Sequence, residues 1–177
     1  AGYNLDVDDS KTKLINQPLK ALPGQGPDTI PGFPCYRTVD ETYISMNEIL
    51  SDYPDLADLY DIGNSWDKIT PGGADGFDIL ALRLTNELKP GVKPTFFLMA
   101  EIHAREYVTA ETAMRYAEYL VQNYGIDPDV TWLLDYFQVY IIPMTNPDGR
   151  LYAENGYLWR KNTHTGCYSP DSRGVDL

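Results

Sequence analysis

Histidine and cysteine are scarce: the 177-residue sequence holds two of each, His103, His164, Cys35 and Cys167. Any chemistry that uses imidazole must use one of two residues. The cysteines either bridge, closing a loop of over a hundred residues worth roughly 4–5 kcal/mol in the chain-entropy model, stay free, or pair outside the chain, and their spacing does not choose. Basic residues are few as well. Lys plus Arg total 14 against 26 acidic residues, a net charge of −12, which opposes binding to nucleic acid or to an anionic membrane. No apolar run approaches the ~20 residues that a membrane-spanning helix needs. There is no internal repeat, no low-complexity tract and no visible signal peptide. The chain begins Ala1-Gly2 without methionine, as a secreted protein relieved of its leader would, and as a trimmed chain would. What remains is an apolar content of 43% with 14 tyrosines, the composition of a globular protein of one domain with a sizeable core.

Residues 1–34 lack periodicity, and PGQGPDTIPGFP from Pro23 reads as linker, so this stretch is expected to be an N-terminal extension and 35–177 the domain proper. Thr38 and Glu41 form a capping box that opens a helix over 39–51, with a stripe at Val39, Tyr43, Met46 and Leu50. Leu59 to Trp66 and Phe77 to Thr85 read as an antiparallel hairpin. After Gly125, Asp127-Pro128 is an N-cap followed by proline at the first helical position, giving a short helix to about Leu134. Phe137 to Met144 is an apolar strand, Asn146-Pro147-Asp148-Gly149 a tight turn, and Arg173 to Leu177 the opening of a further strand.

The most informative stretch is Thr95 to Tyr124. Phe96 to Ala100 reads as a buried strand. Ala110, Ala113, Met114, Ala117, Leu120, Val121 and Tyr124 recur at helical steps of three and four. With the strand from Phe137 this makes a strand–helix–strand unit, hence a parallel pair joined by a right-handed crossover. His103 and Glu106 fall between strand and helix, beyond the carboxyl end of the strand, where open α/β sheets bind ligands. An imidazole and a carboxylate at that spacing can grip one metal ion. A lone His-x-x-Glu is more often a solvated surface pair. The buried strand before it and the scarcity of histidine favour the ligand reading, while His164 sits in a polar loop where surface histidine is the default.

Four motifs, HAREY at His103–Tyr107, NPDG at Asn146–Gly149, WRKN at Trp159–Asn162 and GVDL at Gly174–Leu177, resemble in order and spacing those of the zinc carboxypeptidases of the pancreatic type, most of all their secreted bacterial members. The resemblance covers roughly Cys35 to Leu177. It implies an α/β fold with a mixed, largely parallel sheet and flanking helices, of which this chain is about the N-terminal half. It implies that His103 and Glu106 are the first two ligands of one Zn2+ ion. By the same resemblance Arg105 lines the outer substrate groove, Arg160 is the arginine that polarises the scissile carbonyl and steadies the oxyanion, and Asp176 is a carboxylate that hydrogen-bonds the first ligand histidine. Two histidines and a glutamate around catalytic zinc are a known property of this family, not a reading of these residues. The family's third zinc ligand, its Asn-Arg clamp for the substrate carboxylate and its general-base glutamate follow later in the pattern, beyond the residues present.

The resulting expectation is a zinc-dependent metallocarboxypeptidase acting on peptides with a free C-terminus, secreted or periplasmic, with neither nucleic acid nor membrane as partner. The 177 residues alone are expected to be inactive and to need the C-terminal half of the same domain, or another copy, against an exposed edge. Two other readings are a cell-wall peptide or amino-acid-conjugate amide hydrolase of the same fold, and a non-catalytic binding fragment.

Overall fold

The computed structural model describes residues 30–72, 75–166 and 173–177. Most of the expected extension, and Cys167, lie outside the described residues. Cys35 is exposed.

Helix α1, Val39–Asp52, starts where the capping box places it. The Glu41 amide donates to Thr38 Oγ1 at 3.1 Å and the Thr38 amide to Glu41 Oε2 at 2.8 Å. Val39, Thr42, Met46 and Ile49 face inward, so Ile49 rather than Leu50 completes the inner stripe. Strand β1, Ala57–Asn64, pairs antiparallel with β2, Asp78–Leu84, as the hairpin reading requires, with a bulge between Asp61 and Gly63. The expected strand to Trp66 is cut short. Ser65 exchanges two 2.8 Å bonds with Phe77, its amide to the carbonyl and its hydroxyl from the amide. Trp66–Ile69 then forms a single helical turn, α2.

Strand β3, Thr95–Met99, leads into helix α3, Tyr107–Asn123, then helix α4, Pro128–Tyr136, and strand β4, Gln138–Ile142. β3 and β4 are parallel, in register from Thr95 opposite Gln138 to Met99 opposite Ile142. β4 pairs antiparallel with β2, so the order is β1-β2-β4-β3. The sheet is mixed and flanked by helices, as expected, but among the described strands it is not largely parallel: only the β3–β4 pairing is parallel, and β1–β2 and β2–β4 are antiparallel. The core lies between sheet and helices. Met114, Ala117, Leu120 and Val121 of α3 pack with Leu82, Leu84, Val139 and Ile141 of the strands and with Leu134 of α4. The whole predicted α3 stripe turns inward, its last member, Tyr124, half-buried with its hydroxyl donating to Asp135 at 2.9 Å.

Three further expectations are corrected. β3 is not buried: it occupies the edge of the sheet, and Phe96, Phe97 and Met99 are 49%, 56% and 43% exposed. NPDG is not an isolated turn. Asn146 caps helix α5, Pro147–Glu154, its Oδ1 accepting from the Gly149 amide at 3.2 Å, with Pro147 at the first helical position. Residues 173–177 form no strand. They are tied instead to the loop at 162–164, the Gly174 amide donating to the His164 carbonyl at 2.8 Å and the Asn162 amide to the Val175 carbonyl at 3.1 Å.

Candidate metal centre

The parallel pairing of β3 and β4 delivers residues 100–106 to the carboxyl end of the sheet, beside the Asn146 cap of α5. The segment leaves the strand through Glu101, whose φ of +51° lies in the left-handed region that non-glycine residues seldom adopt. The Glu106 amide then donates to the His103 carbonyl at 3.1 Å. The Glu106 carbonyl in turn receives the amide and hydroxyl of Thr109, at 3.0 and 2.8 Å. His103 and Glu106 therefore sit in a tight turn just ahead of α3, not on the helix itself.

That turn brings the two side chains together. His103 Nδ1 lies 3.1 and 3.2 Å from the two carboxylate oxygens of Glu106. Arg160 spans the pair, its Nη1 donating to Glu106 Oε1 at 3.2 Å, its Nη2 standing 2.8 Å from His103 Nε2, and its Nε donating to Asp176 Oδ1 at 2.8 Å. Asp176 itself is 3.6 Å from His103 Nε2, beyond hydrogen-bond range. The acceptor at bonding distance is the main-chain oxygen of Leu177, at 3.0 Å. Asp176 is thus close to the histidine but holds Arg160 instead. Arg105 points away, exposed at a second cavity of about 480 Å3 lined by Ile30, Phe33, Tyr107, Tyr157 and Leu158. His164 packs on Trp66 with ring centroids 3.8 Å apart.

The proton positions on His103 decide what the cluster can do. With the proton on Nδ1, the ring donates to Glu106 and Nε2 accepts from Arg160. With the proton on Nε2, the ring donates to the Leu177 oxygen and the Nδ1 lone pair is free, facing the carboxylate, but Arg160 Nη2, itself a donor 2.8 Å from Nε2, must then move off. The second tautomer presents one nitrogen and one carboxylate to the same point, the donor set zinc takes. The chemistry of the two side chains therefore fits half of a zinc coordination sphere. Among the described residues no three His, Cys, Asp or Glu side chains converge to hold an ion.

Several residues build this place in roles that the sequence did not assign to them. Asn146, 4% exposed, donates through Nδ2 to the Ile102 carbonyl at 3.2 Å and the Lys161 carbonyl at 3.0 Å, clipping the His103 segment to the Arg160 segment. Gly149 is required by the same approach, since a Cβ there would lie 2.6 Å from the Lys161 oxygen. Gly174 has φ of +87° and a Cβ on it would meet the Asn162 oxygen at 2.2 Å, so glycine lets 174–177 reach the centre. Beneath the turn, Glu101 ion-pairs with Arg150, both essentially fully buried. Burial raises the Glu101 carboxyl above its ordinary range against the lowering pull of Arg150.

A cavity of about 470 Å3, lined by Leu98, Met99, Glu101, His103, Glu106 and Val108 among others, opens beside the pair on the exposed side of β3.

Comparison with known proteins gives consistent relatives. The zinc carboxypeptidase family matches residues 42–177. Carboxypeptidase A2 of Rattus norvegicus is 33% identical over 147 residues, 78% of this chain and 32% of that protein. A zinc carboxypeptidase of Saccharothrix mutabilis subsp. capreolus is 31% identical over 166 residues, 90% of this chain and 36% of that protein. The crystal structure of carboxypeptidase A from Helicoverpa armigera shares the fold, with a TM-score of 0.74 at 24% identity over 99% of this chain and 42% of that one. The chain spans about a third of the length of the curated relatives it matches.

Proposed function

The chain belongs to the zinc carboxypeptidase family, and from that premise we propose that it supplies the first two ligands, His103 and Glu106, of a zinc ion in a metallocarboxypeptidase that removes C-terminal residues from peptides. The observation that carries the reading is the convergence of His103 Nδ1 and the Glu106 carboxylate within 3.1–3.2 Å.

Zinc at such a site polarises a carbonyl and lowers the pKa of its bound water. His103 would offer its Nδ1 lone pair with the proton on Nε2, which requires Arg160 Nη2 to withdraw from its place 2.8 Å from that nitrogen. Glu106 offers a carboxylate held by the turn that ends in Thr109. Arg160 balances the charges of Glu106 and Asp176 and keeps a fixed guanidinium at the centre, a group suited to steadying a developing oxyanion without reorganisation. Arg105, displaced to the neighbouring cavity, is assigned to substrate further from the scissile bond. The remaining ligand and the general base belong to residues beyond those present here. The exposed β3 edge is the surface against which that part of the domain, or a second copy, would pair. No described helix is long and apolar enough to cross a membrane, and we infer an exported protein from the family it joins.

Zinc titration by calorimetry tests the reading. The chain should bind one zinc, weakly for want of a third protein ligand, and His103→Ala and Glu106→Gln should each remove that binding. With zinc and a peptide bearing a free C-terminus, the chain alone should give no turnover. Zinc binding unaltered in both variants would overturn the assignment of the ligands.

A further inference from the structure

A buried ion pair lies directly under the candidate ligands, and nothing in the proposed chemistry uses it. Glu101 is two residues before His103. It combines two costs at one position, a left-handed backbone and a buried carboxylate whose Oε2 has no partner among the described residues. Its Oε1 is held by Arg150 Nη1. The Arg150 side chain is 1% exposed, and all three of its donor groups are engaged. Nε donates to Glu154 Oε1 at 2.7 Å, Nη2 donates to the Arg37 carbonyl at 2.6 Å, and the guanidinium lies over the Tyr107 ring, 4.3 Å from its centroid. Glu154 in turn accepts from the Val39 amide at 2.9 Å, at the start of α1.

The placement of these contacts gives them a purpose. Glu101 precedes the pair and Tyr107 follows it, so Arg150 grips the ligand turn from both flanks. The Glu101 amide donates to Thr109 Oγ1 at 3.1 Å, and that hydroxyl donates to the Glu106 carbonyl, closing the turn on itself. The other side of Arg150 is anchored to α1, to the segment before it and to its own helix, α5. A planar fork of fixed donors suits one group that must reach in three directions at once. A strained, costly residue persists only where its surroundings over-determine it, and such residues gather at functional sites.

We propose that Glu101 and Arg150 are positioning residues for the metal centre: the buried pair sets the direction in which the 101–106 turn leaves β3, and through it the approach of His103 Nδ1 to Glu106. This rests on the proposed zinc reading for its purpose but not for its geometry, and the test separates the two. Arg150→Lys keeps the charge and loses the fork. Glu101→Gln keeps the shape and loses the charge. Each is compared with the parent chain, at a temperature where circular dichroism shows it folded, for zinc affinity by calorimetry and for the 15N resonances of the His103 ring, identified by their loss in His103→Ala.

The expected result is that Arg150→Lys weakens zinc binding at least about tenfold, the lower end for partners standing behind metal ligands, and shifts the His103 ring resonances while those of His164 stay put. Glu101→Gln should move both in the same direction by less. If Arg150→Lys does not fold, Glu101→Gln decides alone. Variants that match the parent in affinity within about twofold, well under that range, with unchanged His103 resonances, would show the pair to be structural only and overturn the proposal. A parent that binds no zinc would count against the proposed function, and the ring resonances alone would then decide this inference.

Discussion

Replacing Asn146 with alanine isolates the clip that joins the two halves of the centre. The Asn146 side chain makes three hydrogen bonds: it accepts from the Gly149 amide and donates to the Ile102 and Lys161 carbonyls. Loss of a helix N-cap costs about 1 kcal/mol. Each carbonyl left without its donor in a partly buried place adds about 0.5–1 kcal/mol, the lower part of the range because water can reach it. The sum is about 2–3 kcal/mol, a large share of the ~5–15 kcal/mol that holds an ordinary domain folded. With a urea slope of about 2 kcal/mol/M, the midpoint should fall by about 1–1.5 M at unchanged slope. The substitution Asn146→Asp sharpens the test. Aspartate caps a helix as well as asparagine, so a cap-only role predicts a neutral change. The clip predicts the opposite, because a carboxylate oxygen would replace the amide facing two carbonyl oxygens. An aspartate variant as stable as the parent, or an alanine effect below about 1 kcal/mol, would refute the reasoning.

Two further outcomes are expected. Burial raises the Asp135 carboxyl, but hydrogen bonds from Asn86, Lys89 and Tyr124 outweigh it and bring it down to about 2. A group lowered on folding stabilises above its unfolded pKa of about 3.9, so its contribution should be lost as pH falls from about 4 to about 2. The stability gap between parent and Asp135→Asn, measured by urea unfolding, should close over that window, and a gap constant with pH contradicts the assignment. At the sheet edge, Phe97→Lys should reduce concentration-dependent self-association in sedimentation velocity, since charge on an exposed edge strand opposes pairing; a parent that is monomeric at every concentration would show that the edge recruits no second copy.

The parts of the fold that depend on local pattern were legible. The α3 stripe, the Thr38–Glu41 box and the Asp127-Pro128 start all appear where spacing and capping chemistry put them. Asn146-Pro147 carries the same cap-then-proline signal as Asp127-Pro128, but Asp148-Gly149 after it mimicked a turn, and the helix it opens was missed. An exposed edge was expected, but that β3 forms it was not legible, because an apolar run states that a strand wants cover and not which place it takes in the sheet. The candidate residues from three separate motifs are neighbours in the fold. His103, Glu106, Arg160 and Asp176 do come together, whereas Arg105 faces a different cavity. The Glu101–Arg150 pair was invisible because its members are far apart in sequence, and hydrophobic periodicity says nothing about buried charges. The Leu177 oxygen is a backbone atom that no sequence pattern names, although Gly174, which permits its approach, was in plain view.

Everything proposed for the centre requires His103 to turn its Nδ1 lone pair to a metal shared with Glu106. Long-range 1H–15N spectra of the ring, recorded where the imidazole is neutral, read this directly. The expected result is a proton on Nδ1 without metal, with Nε2 accepting from Arg160, and its transfer to Nε2 on adding zinc, as Arg160 Nη2 withdraws. A His103 pattern unchanged by saturating zinc, or a response at His164 instead, would contradict it.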